Sequence, residues 1–457
     1  MSAAAVRTLG EFARACGGRL VGADRAYTGV STDTRSLRAG EVFVALQGPR
    51  YNAAEFVGAA GAAGAAAVVV TAAQDAQVAQ IIVPDTLAAL TRAAADWRGR
   101  FAIPLIGVAG SNGKTTAKEM TAAILGEAGN CLATQGNLNN HIGVPVTLLR
   151  LDATHEFAVI EIGANRPGEV AALAALARPG IGLVTNAGAE HLEGFGSLEG
   201  VARAEGELFA ALAADGVAVV NHDDTYCGLW RGMTRARVVT FGLTPAADFH
   251  ARDIETAVGA EGFATRFTLC SPGGEVAVRL RLAGRHNVAN ALAAAAAAVA
   301  AGATLAHVAA GLAAMRAVKG RLNFRTTRAG AWLIDDSYNA NPSSMRAGID
   351  VLAALGGRRW LAIGDMGELG EHAGAAHADI GRYAREHGIE RLFATGTLSA
   401  LAVETFGAGA QWFPDAEALT RELAAALAAD VRLLVKGSRS NRLERVVDAL
   451  TVNVKAQ

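Results

Sequence analysis

The chain alternates short, uninterrupted apolar runs with alanine-rich stretches of helical period. Ile103-Pro104-Leu105-Ile106-Gly107-Val108-Ala109, Phe157 to Ile160, Ile181 to Val184 and Val217 to Val220 show no polar alternation. Uniform runs of this length predict strands of a parallel sheet covered on both faces. The last three end in polar residues: Glu161, Thr185-Asn186, and Asn221-His222-Asp223-Asp224. Because the carboxyl ends of such strands border the ligand crevice of an open sheet, these residues are expected to gather at one site. Upstream, Glu41 to Leu46 and Ala67 to Val70 read as strands around a helical pattern, and Ala88 to Trp97 as a helix running to a boundary. From about residue 316 the pattern restarts with Trp332 to Ile334, Trp360 to Ile363, Arg391 to Ala394 and Leu433 to Val435, each followed by a turn and a helix. Alternation in Arg266 to Leu269 and Glu275 to Leu280 predicts antiparallel hairpins over Arg252 to Arg281. The fold class is therefore α/β in three domains: a small α/β domain over 1–100, a central parallel-sheet domain over 101–315 and a Rossmann-like domain over 316–457.

Composition narrows the partners. Lys and Arg number 42 against 43 Asp and Glu, a net charge of -1, so nothing points to nucleic acid or to an acidic membrane surface, and small-molecule chemistry is expected. Cys16, Cys131, Cys227 and Cys270 are too scattered for a zinc site or a disulfide framework, which fits a reducing cytoplasm. Glu11, Arg14 and Arg19 interrupt the N-terminal segment, so no secretory signal is read there. Asn287 to Met315 contains no Lys, Arg, Asp or Glu, but it is mostly alanine, and Gly302-Ala303-Thr304 reads as a helix end followed by an N-cap. Two buried helices are expected there, not a membrane span.

The chemistry begins at Gly110-Ser111-Asn112-Gly113-Lys114-Thr115-Thr116, between a predicted strand and a predicted helix. Glycines let the backbone turn its N–H groups toward a phosphate, the helix start adds positive charge, Lys114 neutralises outer phosphates, and the Thr115 hydroxyl can reach Mg²⁺. A nucleoside triphosphate is the expected ligand, and the central domain is expected to be P-loop ATPase-like. The general pattern G-x-x-x-x-G-K-[ST] would require glycine at Val108, so the loop belongs to a shorter G-x-x-G-K-T class. Glu161, a carboxylate closing an apolar strand, needs a partner such as Mg²⁺. His191, after the next strand end, can ligate a second metal or contact a phosphoryl oxygen. Asp335-Asp336 can hydrogen-bond ribose hydroxyls, although taken alone such a pair is more often a turn or helix cap.

Gly110 to Thr116, Glu161-Ile162-Gly163-Ala164-Asn165, Asn186 to His191 and Gly284-Arg285-His286-Asn287-Val288-Ala289-Asn290 resemble the Mur ligases of peptidoglycan synthesis. Asp335 to Met345, Gly364 to Gly370 and Val435-Lys436-Gly437-Ser438-Arg439 resemble the branch of that family that adds D-alanyl-D-alanine. The resemblance implies an ATP-dependent amide ligase that phosphorylates the terminal carboxylate of a UDP-N-acetylmuramoyl-tripeptide and lets the D-alanyl-D-alanine amine attack the acyl phosphate. It implies that Thr115 and Glu161 hold Mg²⁺ on ATP, that His191 helps hold a second Mg²⁺, and that Asn287 and Asn290 contact the adenosine. It further implies that Arg321 reaches the phosphates, that Asp336 lies near the ribose, and that Asn339 and Asn341 belong to the substrate motif. Lys114, Glu161, His191 and Glu205 are the expected catalytic set. Glu205, in Arg203-Ala204-Glu205-Gly206-Glu207-Leu208-Phe209, stands where many Mur ligases carry a carbamylated lysine, and the expectation is that its carboxylate replaces the carbamate near the second Mg²⁺. In the first domain, Ser31-Thr32-Asp33-Thr34-Arg35 and Ala45-Leu46-Gln47-Gly48 resemble UDP-sugar-binding segments, which makes Thr32, Asp33, Thr34, Arg35 and Gln47 candidates for the substrate. A loop ion pair between Asp33 and Arg35 is the alternative for those two. Tyr51 to Phe56 lacks the Asp and His often found in that segment. A cytoplasmic monomer without membrane insertion is expected.

Overall fold

A computed structural model describes residues 7–48, 51–259 and 262–451. Each of the three apolar zones builds its own sheet. In the first, Ala79–Ile82, Ala67–Val70, Glu41–Val44 and Gly29–Ser31 lie parallel in that order, with Arg19–Val21 antiparallel at the outer edge. The helix Thr86–Arg98 starts at Asp85, whose Oδ1 accepts from the Leu87 and Ala88 amides at 2.8 and 2.9 Å. Its last turn docks on the central unit: Trp97 Nε1 donates to the Leu151 carbonyl at 2.9 Å and Arg98 Nε to the Ala177 carbonyl at 2.8 Å.

The central sheet has six parallel strands ordered Arg237–Phe241, Val217–Asn221, Ile181–Val184, Leu105–Ala109, Phe157–Glu161 and Cys131–Ala133. The inner strands are buried along their length, which is why they carry no polar alternation. The two edge strands escape the sequence pattern because Cys131–Ala133 is three residues long and Arg237–Phe241 begins exposed. Leu105–Ala109 lies in the middle, with Glu161 opposite Val108 on one side and Val184 opposite Ala109 on the other. This register sets the glycine loop between Glu161 and Thr185-Asn186.

The charge-free stretch forms two helices, Arg285–Ala300 and Leu305–Ala314, joined through Gly302 at φ 105° and the N-cap Thr304. Ala291 to Ala298 are at most 1% exposed, so alanine here permits close approach on all sides. At Gly311 an added Cβ would collide with the backbone of Ile124 in the helix Lys114–Gly126. Among the described residues no helix is long and apolar enough to cross a membrane. His250–Gly259, Gly262–Ser271 and Gly274–Leu280 form an antiparallel three-stranded sheet against these helices.

The third sheet is ordered Asn323–Thr326, Trp332–Asp336, Val431–Lys436, Arg358–Ile363, Arg391–Thr395 and Ala410–Phe413, all parallel except the first. The strand Val431–Lys436, last in the chain, inserts beside Trp332–Asp336 and sets Lys436 opposite Asp336. The carboxyl ends of this sheet face those of the central sheet, as bonds between the two units show: Asn341 Nδ2 donates to Asn112 Oδ1 at 2.8 Å and Asn112 Nδ2 to Ser343 Oγ at 3.0 Å.

Candidate active site

The loop between Leu105–Ala109 and Lys114–Gly126 turns at Gly110, φ 116°, and Gly113, φ 83°. A side chain at Gly110 would fall onto the Thr185 hydroxyl, and one at Gly113 onto the Asn290 amide. Several loop amides are satisfied within the protein. Gly110 N donates to Glu205 Oε2 at 2.6 Å, Ser111 N to the Asn186 carbonyl at 2.8 Å, and Asn112 N to Asn186 Oδ1 at 3.0 Å. The amides of Gly113, Lys114, Thr115 and Thr116 have no such partner among the described residues, as expected for the open first turn of a helix. The phosphate cradle is therefore the second half of the motif, while Gly110, Ser111 and Asn112 shape it.

Lys114 Nζ, 16% exposed with its side chain, donates to Glu190 Oε1 and to the Ser111 carbonyl, both at 3.2 Å. Burial lowers its pKa, but Glu190, Glu205 and Glu161 together outweigh burial and raise it, so the ammonium stays charged. Glu161, 2% exposed, accepts at Oε1 from Thr115 Oγ1 at 3.3 Å and from Asn139 Nδ2 at 2.8 Å. Its Oε2 is buried with no partner. Glu190 and Asn139 were missed by sequence reasoning; Glu190 stands beside His191 in a motif, but nothing in the order of residues announces that it faces Lys114.

Glu205 is 2% exposed on the helix Leu198–Ala210, beneath the loop. Burial pushes its pKa up to about 7, Lys114 opposing and Glu190 adding to the rise. His191 adopts a left-handed backbone, φ 49°, and its Nδ1 lies 2.6 Å from Glu368 Oε2, a residue of the third unit that is itself left-handed at φ 62°. Glu161, His191 and Glu205 thus have separate partners. Among the described residues no three His, Cys, Asp or Glu side chains converge on one metal position.

Two cavities meet at the loop. One, about 370 Å³, is lined by Phe241, His286, Asn287, Asn290, Leu322 and Asp336, among others. Burial lowers the pKa of His286, with Asp336 opposing, so the imidazole there is neutral. Asn287 Nδ2 donates to the Ala283 carbonyl at 2.7 Å, and Asn290 Nδ2 to Asn287 Oδ1 at 3.3 Å. The other, about 260 Å³, is polar and holds Lys114, Thr115, Glu161, Glu190, His191 and Tyr338. Arg321, Lys436 and Asn112 line both. Asp336 accepts from Lys436 Nζ at 2.6 Å and from the Leu322 amide at 3.2 Å, and the same Nζ donates to the Asn339 carbonyl at 2.9 Å. The Asn341 side chain is committed three times: it donates to Asn112, and its Oδ1 accepts from the Ser344 amide at 2.9 Å as N-cap and from Ser343 Oγ at 3.1 Å. The first-unit candidates line neither cavity: Arg35 Nε and Nη2 grip Asp33 at 2.9 and 2.5 Å, holding its carboxyl at about 2, and Gln47 Nε2 donates to Thr71 at 3.2 Å. Thr32 and Thr34 stand on either side of Asp33 in the loop after Gly29–Ser31.

A polar cleft holding an open helix start and a charged lysine, beside a cavity with amide and imidazole groups, is the arrangement a nucleoside triphosphate requires. Residues 108–298 match the Mur ligase middle domain and residues 320–439 the Mur ligase glutamate ligase domain. The chain is 45% identical over 451 residues to the UDP-N-acetylmuramoyl-tripeptide–D-alanyl-D-alanine ligase of Escherichia coli K12, covering 98% of both chains, and 37% identical to that of Haemophilus influenzae over 93% of this chain and 94% of the other. Among solved structures it is similar to MurF from Acinetobacter baumannii, with TM-score 0.88 and 33% identity over 97% of this chain and 98% of that one. It is also similar to the MurF ligase of Thermotoga maritima in complex with ADP, with TM-score 0.79 and 26% identity over 92% and 96%. The chain belongs to the Mur ligase family.

Proposed function

We propose that this enzyme joins D-alanyl-D-alanine to the terminal carboxylate of UDP-N-acetylmuramoyl-tripeptide, with ATP converted to ADP through an acyl phosphate. The observation that carries the reading is the cleft itself: the open helix start at Gly113 to Thr116, the Lys114 ammonium and Glu161, with its buried, unpartnered oxygen, come together there, and the third unit closes the other side. The name of the 45% identical E. coli relative supports the substrates. Reaction at this site transfers a phosphoryl group and passes through a tetrahedral oxyanion, so it needs positioning and fixed positive charge more than a covalent nucleophile. The four amides and Lys114 hold the transferring phosphate, Arg321 approaches it from the opposite wall, and Asn287, Asn290 and neutral His286 fit the base and sugar side. Asp336, oriented by Lys436, fits the ribose.

Glu161 and Thr115 fit a Mg²⁺ ion, because one buried carboxylate oxygen lacks any partner and hard oxygen donors are what that ion takes. Bound there, the ion would neutralise charge on the ATP phosphates. His191 fits an outer role, with Nδ1 turned to Glu368 and the ring facing the cleft. For Glu205 the bond to Gly110 supports a loop-holding role over direct contact with a second ion. We assign UDP-substrate binding to residues 1–100, ATP binding to 101–315 and the amino acceptor to 316–457, with Thr32, Asp33, Thr34, Arg35 and Gln47 as first-unit contacts once the Asp33–Arg35 pair opens. We further propose a monomer in the cytoplasm, where ATP is available and the four cysteines stay reduced.

Phosphate release from ATP in the presence of each substrate alone and both together tests the reading. Release that requires both is expected, and turnover indifferent to either would sink it.

A further inference from the structure

Tyr338 carries two guanidinium groups on its ring. Arg321 Cζ lies 4.4 Å from the ring centroid and Arg439 Cζ 5.5 Å from it. Neither guanidinium has an ion-pair or hydrogen-bond partner among the described residues, although their like charges repel. Arg321 lines both cavities and belongs to the phosphate side. Arg439 is exposed, just past the carboxyl end of Val431–Lys436, and approaches the same ring. Its backbone is held firmly. Ser438 Oγ and Asn441 Nδ2 both donate to the Asp365 carbonyl at 2.7 Å, and the Asp365 amide donates to Asn441 Oδ1 at 3.0 Å. A free guanidinium on an anchored turn is prepared for a planar anion.

We propose that Arg439 binds the C-terminal carboxylate of the amino acceptor beside Tyr338, the ring it shares with Arg321 of the phosphate side. The inference rests on the acceptor being a dipeptide, as argued above. An extended dipeptide spans at most about 7 Å, so a group that fixes its carboxylate must lie within one side chain's width of the place where its amine attacks. Tyr338 lines the cleft with Lys114 and Glu161, and Arg439 is the exposed cation over its ring. Fixing the carboxylate there directs the amine inward and rejects acceptors that lack the charge.

The test compares wild type, R439Q and R439K on D-alanyl-D-alanine and on D-alanyl-D-alaninamide, with KM for ATP and for the UDP-tripeptide measured in parallel. Wild type is expected to prefer the free carboxylate. R439Q should raise KM for D-alanyl-D-alanine at least tenfold, accept dipeptide and amide equally, and leave the other two KM values unchanged, while R439K should recover part of the preference. R439Q that discriminates as wild type does, or that raises KM for the UDP-tripeptide instead, overturns the proposal. A wild type that ligates other amines but not D-alanyl-D-alanine overturns the functional reading as well, which separates the two failures.

Discussion

Glu205 lies beneath the phosphate loop with Lys114 and Glu190 nearby, and its pKa of about 7 stands above the ordinary 4.5 because burial disfavours the charged form. An acid whose pKa is higher in the folded than in the unfolded state holds its proton better when folded, so its ionisation weakens the fold between pH 4.5 and about 7. Glu205→Gln keeps an acceptor for the Gly110 amide and cannot ionise. Its melting temperature relative to wild type should therefore rise between pH 5 and pH 8, and a pH-independent difference would refute the assignment. Lys114 is the opposite case, a cation held charged by three carboxylates. Lys114→Met should lower kcat/KM by about 10² to 10³, the scale of losing one fixed group at a charged transition state, and steady-state kinetics with ATP varied would register it. Lys114, Thr115 and Glu161 were legible in the sequence because a motif and a strand end fix their positions. Glu190 and Asn139 were not, because each meets its partner across the sheet.

The loop shows how an element narrows what its residues can do. The sequence marks seven residues as one phosphate motif, yet in the fold three amides hold the loop's own shape and four remain for a ligand. Gly113→Ala would meet both a left-handed φ of 83° and the Asn290 amide, so the loop must shift. Gly168 has a similar φ of 87° with open space around it. Both alanine variants should lose about 1 to 2 kcal/mol of stability from backbone strain, but only Gly113→Ala should weaken ADP binding, by tenfold or more in a calorimetric titration. Equal ADP affinity in the two variants would show that the cradle tolerates the shift. The alanine helices Arg285–Ala300 and Leu305–Ala314 were legible as buried helices for a related reason: small side chains permit close packing, and Gly302-Ala303-Thr304 supplies the stop and the cap.

Across the whole molecule, the central and third units are joined at the cleft by Asn112 with Asn341 and Ser343, and by His191 with Glu368. Glu368 is 61% exposed, so the pair adds little to folding, but it lies where closure brings the units together. Glu368→Ala should leave the melting temperature within about a degree, lower kcat severalfold by reducing the closed population, and enlarge the radius of gyration of the ADP complex in X-ray scattering. An unchanged radius with unchanged kcat would remove the latch from the mechanism. The same closure explains why Asn341, expected at the substrate, is occupied by a cap and by the partner loop.

By itself the sequence determined the buried inner elements, because strand burial is written in uniform apolar runs and a phosphate loop needs glycine, lysine and threonine in order. It also carried the family, since the motifs are contiguous. Tertiary structure alone decided which groups face one another: that Glu205 ends under Gly110, that His191 turns to Glu368, and that Arg321 and Arg439 share Tyr338. These contacts join residues far apart in the chain, and local composition does not encode the angle at which two sheets present their carboxyl ends.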